Sequence, residues 1–171
     1  MGTERLTLRE PEESDAEALH AYYARNAERF APWEPPRPHD VEAHRAWVVA
    51  ARRSRRGGKP AVFLAFDRAS GALVAVVDLH GFSDEDAGAM ISYTVDGDYE
   101  GRGFASEAVA AVMRYAAEDL GLRTITAYYE PANVRSERLL QRAGFTVVAS
   151  TALVPGFEKL MRAQVVAVRK L

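Results

Sequence analysis

An α+β fold built on a mostly antiparallel sheet is what this sequence predicts, and three observations carry the prediction. Residues 60–67, 72–80 and 88–96 are strand-like runs separated only by Ala69-Ser70-Gly71 and by the acidic turn Ser83–Asp86, the pattern of an antiparallel meander. A helical run over about 104–120 then leads to a further strand at 123–129, which adds a β-α-β unit to the second half. The helical runs each carry one apolar face, so they pack against a sheet rather than standing alone.

Taken in order, residues 4–10 alternate as a strand with Leu6 and Leu8 on one face. Ser14 or Asp15 can cap a helix bearing Leu19, Tyr22 and Tyr23 that ends near Asn26. Four prolines between Pro32 and Pro38, around Trp33, make a stiff loop. Asp40 caps the next helix, whose positions Val41, His44, Trp47, Val48 and Ala51 recur at helical spacing before Gly57-Gly58 stops it. After the meander, Ala105, Ala108, Val109, Val112, Ala116 and Leu120 line one face of the helix over about 104–120, with Gly121 as its stop. Strand 123–129 is followed by a helix over about 133–143 stopped by Gly144, and strands near 145–151 and 161–169 finish the chain.

Composition narrows the function. With 171 residues and 48% hydrophobic content, residues 1–171 are expected to form one domain with its own core. The longest apolar runs, Ala61–Phe66 and Ala72–Val77, are too short to span a bilayer. The opening MGTERLTLRE lacks the apolar stretch of a signal peptide, and Leu6 stands where myristoylation wants Ser or Thr. Cysteine is absent, which excludes a disulfide framework, a thiolate zinc site and a cysteine nucleophile. His39 and His44 lie five apart with no second pair, so no metal site is expected. A net charge of −2 gives no global attraction to nucleic acid or to a membrane, and the expected compartment is the cytoplasm.

Chemistry concentrates between Tyr93 and Phe145. Gly101 and Gly103 sit where a strand hands over to a helix, and the small residues Ala105 and Ser106 follow. Bare amides, a permissive backbone and the positive end of a helix dipole make an anion site, most often for phosphate. The spacing is wrong for a nucleoside-triphosphate P-loop, which needs four residues between its glycines and a Gly-Lys-Ser/Thr ending. A dinucleotide fingerprint fits only in part, because Ser106 replaces the third glycine. A glycine turn that caps a helix without any ligand is the remaining reading of the loop alone.

The wider pattern decides. Glu100-Gly101-Arg102-Gly103-Phe104-Ala105, followed by SEAV, resembles the acyl-CoA loop of the GNAT N-acetyltransferase superfamily. Asn133-x-x-Ser136-x-x-Leu139, ending in Gly144-Phe145, resembles the second cofactor-side helix of its RimJ/RimL-type branch. The opening LTLREPEESDAEALHAYYARN and the Pro32-Trp33 loop are similar to that branch as well.

The resemblance implies a sheet of about seven strands flanked by about four helices, with strands splayed at the cofactor cleft. It implies acetyl-CoA as cosubstrate, with pantetheine held by the main chain of Tyr93, Thr94 and Val95, where a strand amide also faces the developing oxyanion. The amides of Gly101, Arg102, Gly103, Phe104, Ala105 and Ser106 would receive the pyrophosphate, with the Arg102 side chain free to reach a phosphate. Asn133 would bond the pantetheine arm, cap its helix, or do both. Many members carry a tyrosine acid one position after the motif's Leu. Leu140 stands there in this chain, which leaves Ser136 as the candidate acid against a plain reading as a solvent-side serine. Glu100 departs from the usual Gln or Arg, and its side chain is expected to point into solvent, away from phosphate.

For the general base, Glu158 and His80 are the candidates, beside Asp78, Glu130 and an ordered water chain. The acceptor would be a primary amine, either a protein N-terminal α-amino group or a small molecule, attacked directly in a ternary complex. Rival readings are a non-catalytic acyl-CoA-binding or regulatory module and a nucleotide-binding module. A homodimer is implied by the resemblance. The run Arg52-Arg53-x-Arg55-Arg56 with Lys59 either closes a helix or docks a partner. Trp33, Tyr22 and Tyr23 either line an acceptor pocket or belong to the core.

Overall fold

The computed structural model describes residues 1–34, 40–151 and 164–171. Seven strands make one mixed sheet: β1 (Leu6–Arg9), β2 (Val62–Asp67), β3 (Leu73–Ser83), β4 (Gly88–Val95), β5 (Thr124–Tyr129), β6 (Thr146–Thr151) and β7 (Gln164–Lys170), in the order β1-β2-β3-β4-β5-β7-β6. Every neighbouring pair is antiparallel except β4 with β5, which are parallel because a helical crossover joins them.

The helices are α1 (Ala16–Arg25), α2 (Ala27–Phe30), α3 (Val41–Arg53), α4 (Phe104–Glu118) and α5 (Val134–Arg142). They cover both faces of the sheet. On one side, Ala108, Val109, Val112 and Ala116 of α4 and Leu139 and Leu140 of α5 bury against Val77, Leu79, Ile91 and Ile125. On the other, Leu19, Tyr22 and Tyr23 of α1 and Val48 of α3 pack on Val62, Leu64 and Val76. Fully buried side chains such as Val112 and Ile125 each stabilise the fold by about 2 kcal/mol relative to exposure.

Several boundaries differ from the sequence reading. Neither Ser14 nor Asp15 caps α1 through its side chain. Asp15 instead turns back, accepting from the Glu12 amide at 2.7 Å and from both Arg9 guanidinium nitrogens at 2.7 Å, because a buried carboxylate must be paired. The helix capped by Asp40 ends at Arg53, four residues before Gly57, when Ser54 closes on Ala50 and Ala51. The short α2 was not foreseen; it turns the chain directly after α1 through Asn26.

The decisive feature lies between β4 and β5. These strands pair over only three register positions, Gly88–Thr124, Ala89–Ile125 and Met90–Thr126, and then separate. Beyond that point Ile91 to Val95 keep their pairing with β3, while Ala127 to Tyr129 keep theirs with β7. A cleft therefore opens in the middle of the sheet, edged by strand backbone on both sides.

Candidate active site

At the end of β4 the chain makes a 3-10 turn, Gly97–Tyr99, and reaches the glycine loop. Gly101 and Gly103 have φ of 70° and 83°, a left-handed backbone that side chains with a Cβ resist. Among the described residues, the amides from Gly101 to Ser106 meet no backbone acceptor, and the first bond of α4 runs from Glu107 N to Gly103 O. These donors, with the positive end of a 15-residue helix behind them, fit a pyrophosphate. The site residues present therefore suit acyl-CoA: an unpaired strand edge for an amide-bearing arm and a loop for its phosphates.

The loop is tied to the opposite face of the sheet. Asn26 Oδ1 accepts from Gly97 N at 2.9 Å, Arg25 Nε donates to the buried Asp96 at 2.5 Å, and Tyr22 OH donates to Thr94 Oγ1 at 2.9 Å. Tyr22 and Tyr23 are thus core aromatics, 0% and 5% exposed, while Trp33 is exposed. The Arg102 guanidinium lies 5.0 Å from the ring centres of both Tyr99 and Phe104. Together with Arg5, Asp67 and Arg68 it lines a cavity of about 420 Å³ on the β1 side of the loop.

Glu100 corrects an expectation. Its carboxylate does not extend into solvent. It accepts from Arg29 Nε at 3.0 Å and stands 2.9 Å from Arg135 Nη1, so it bridges α2 and the first turn of α5. The physical reason is that a carboxylate beside a helix N-terminus and two guanidiniums gains more from pairing than from hydration.

Across the cleft, Asn133 caps α5, its side chain accepting from Ser136 N at 3.1 Å. That fixes Ser136 in the first helical turn, half-buried. Its hydroxyl lies 2.8 Å from Tyr93 OH, which reaches over from β4. Burial pushes the Tyr93 phenol up to about 12, against the lowering effect of the Ser136 hydrogen bond. Leu140, where a tyrosine acid stands in many GNAT enzymes, is 1% exposed and belongs to the core. The Tyr93 side chain is the site feature that sequence reasoning missed. Its signal was there: Ile91, Tyr93 and Val95 alternate onto one face, and Tyr93 is the polar member.

His80 lies on the other face of the sheet. Its Nδ1 is 2.9 Å from Asp78 Oδ1, and the same oxygen accepts from Ser92 Oγ at 2.5 Å. Asp78 pairs with Ser92 and His80 with Met90, so this group sits where β4 leaves β5. Glu158 and His39 lie outside the described residues, and Glu130 directly follows β5. Among the described residues no group of three or more His, Cys, Asp or Glu could hold a metal ion, and no helix is long and apolar enough to cross a membrane. The basic run is engaged within the chain: Arg52 donates to Pro11 O, Arg55 pairs with Glu10, Arg56 with Asp84, and Lys59 donates to Asp119 O.

A sheet parted beside a glycine loop at a helix N-terminus is an architecture that suits an acyl-CoA-using transferase. Residues 5–146 match the Acetyltransferase (GNAT) domain, and the chain belongs to that family as an acetyl-CoA-dependent N-acetyltransferase of the RimJ/RimL-type branch. It is 30% identical over 150 residues to the [ribosomal protein uS5]-alanine N-acetyltransferase of Escherichia coli K12, covering 84% of this chain and 76% of the relative. Its fold superposes with a TM-score of 0.89 on the ribosomal-protein-S5-alanine acetyltransferase of Vibrio fischeri, at 20% identity, covering 99% and 95% of the two chains. The Mycobacterium smegmatis RimJ structure, in complex with CoA-disulfide, superposes at 0.84 with 21% identity, covering 96% and 81%.

Proposed function

We propose that this protein acetylates the α-amino group at the N-terminus of a protein, by direct attack of the amine on acetyl-CoA in a ternary complex in the cytoplasm. The parting of β4 from β5 beside the glycine loop carries the reading, because it offers strand backbone and phosphate donors along one line. In this reading the whole chain acts as one catalytic domain. The main chain of Tyr93 to Val95 holds the pantetheine arm, and the amides of Gly101 to Ser106 hold the pyrophosphate. Asn133 fixes Ser136 at the cleft, where the serine hydroxyl protonates the departing thiolate. His80, oriented by Asp78, is the base that frees the acceptor amine, with Glu158 as the second candidate for that role. The 30% identity with an enzyme named for a ribosomal protein's alanine terminus favours a protein acceptor over a small amine.

The test is CoA release from acetyl-CoA with peptides beginning Ala, Ser or Met, alongside the same peptides blocked at the α-amine and a panel of polyamines, amino acids and aminoglycosides. Acetylation confined to the free α-amine of peptides is expected. Turnover only with small amines would reverse the acceptor assignment, and CoA binding without any turnover would make the protein a non-catalytic acyl-CoA-binding module.

A further inference from the structure

A second hydroxyl, that of Tyr93, stands beside Ser136 in the cleft. A serine hydroxyl that gives up its proton leaves an alkoxide, too basic to persist, so it acts as an acid only when another group refills it. Tyr93 OH stands 2.8 Å from Ser136 Oγ, in a pair where either oxygen can donate. The two come from opposite sides of the parted sheet, β4 and α5, and the Asn133 cap fixes the serine's place. Leu140 is buried in the core and carries no proton, so no hydroxyl reaches the cleft from that position.

Resting on the acetyl-transfer reading above, we propose that the Tyr93 phenol refills Ser136 and thereby delivers the proton taken up by the departing CoA sulfur. The amine nitrogen bonds to the acetyl carbonyl carbon, and the C–S bond breaks with its electron pair going to sulfur. Ser136 O–H transfers its hydrogen to that sulfur as Tyr93 O–H passes its own to Ser136 Oγ. The acceptor ammonium gives up one proton before attack and the same nitrogen a second as the tetrahedral adduct collapses; one of the two restores the phenolate through solvent and the other leaves to solvent, so the products are the neutral amide and the CoA thiol. Burial holds the phenol at about 12, so it stays protonated at neutral pH and passes its hydrogen to Ser136 only in concert with the transfer to sulfur. Tyr93 is on this account a positioning and relay residue acting through Ser136.

The experiment compares Tyr93→Phe, Ser136→Ala, Ser136→Thr and the Phe/Ala double variant, using acetyl-CoA with an Ala-initiated peptide and acetyl-CoA hydrolysis without it. Tyr93→Phe and Ser136→Ala are each expected to lower kcat by about tenfold or more while CoA affinity stays within about twofold, since only the proton transfer is lost. The double variant is expected to be no slower than the slower single one, and Ser136→Thr to recover most of the turnover. An unchanged kcat in Tyr93→Phe, losses that multiply in the double variant, or a loss that lies in CoA affinity would each overturn the relay. The unaltered protein's own rate separates the two readings: if it shows neither transfer nor hydrolysis, acetyl transfer itself falls, and the relay with it.

Discussion

Glu100 holds two arginines at the mouth of a site that suits a polyanion. Replacing its charge alone, Glu100→Gln, leaves Arg29 and Arg135 without their counter-ion beside the loop. CoA binding is expected to tighten and to become more salt-dependent, which calorimetric titration at two ionic strengths reads directly. An affinity that weakens would show that Glu100 orders the loop more than it opposes phosphate. At Gly101 an added Cβ meets nothing within 4 Å among the described residues beyond its chain neighbours, so Gly101→Ala should cost only about 1 kcal/mol of stability for its left-handed backbone. At Gly103 a Cβ comes 3.3 Å from Arg5, and Gly103→Asp also sets a carboxylate where phosphate belongs. CoA affinity is expected to vanish in Gly103→Asp while unfolding in urea shifts by about 1–2 kcal/mol, the cost of a left-handed backbone; retained affinity would remove the loop from the site.

At the scale of elements, α5 is capped at its start by the Asn133 side chain. Asn133→Ala is expected to destabilise the protein by about 1 kcal/mol and to lower turnover, because the same residue places Ser136. Stability lost without any loss of rate would separate the cap from the chemistry. The elements also show what could be read beforehand. β2 and β3 were legible as short continuous apolar runs bounded by turn residues, since both faces of these central strands are buried, β4 by its alternation and α4 by its 3.6-residue period. The amides of the loop were legible because glycine spacing is local. The partners of Glu100 were not: Arg29 lies 71 residues away in α2, an element too short to show a period. Likewise the hydroxyl pair joins positions 43 apart, and only the parted sheet brings them together. The places of the loop and the serine at the starts of their helices were therefore within reach of sequence, whereas the partners of Glu100 and of Ser136 depended on tertiary placement.

For the molecule as a whole, acid is expected to be the weak side. Burial would raise the Asp15 and Glu107 carboxyls, but hydrogen bonds from Arg9 and the Glu12 amide, and from Thr3 and Arg5, hold both below their ordinary values. Glu10 is lowered as well, chiefly by its hydrogen bond with Arg55. A carboxyl depressed by folding contributes stability that is present above its unfolded pKa and lost as pH falls through the folded one. Unfolding free energy is expected to be level near neutrality and to fall below about pH 4, and Glu107→Gln should flatten that fall. An equally steep fall in the variant would place the sensitivity elsewhere.

The three paired positions between β4 and β5 have one more consequence. Among the described residues they are the only rungs of strand pairing between the four-stranded half of the sheet and the three-stranded half, so the sheet resembles a book with a very short spine. A ligand lying along both page edges works as a staple, and part of its binding energy becomes cohesion of the C-terminal pages. Amide hydrogen exchange in β5 and β7 should therefore slow on CoA binding, at positions that no atom of the ligand reaches.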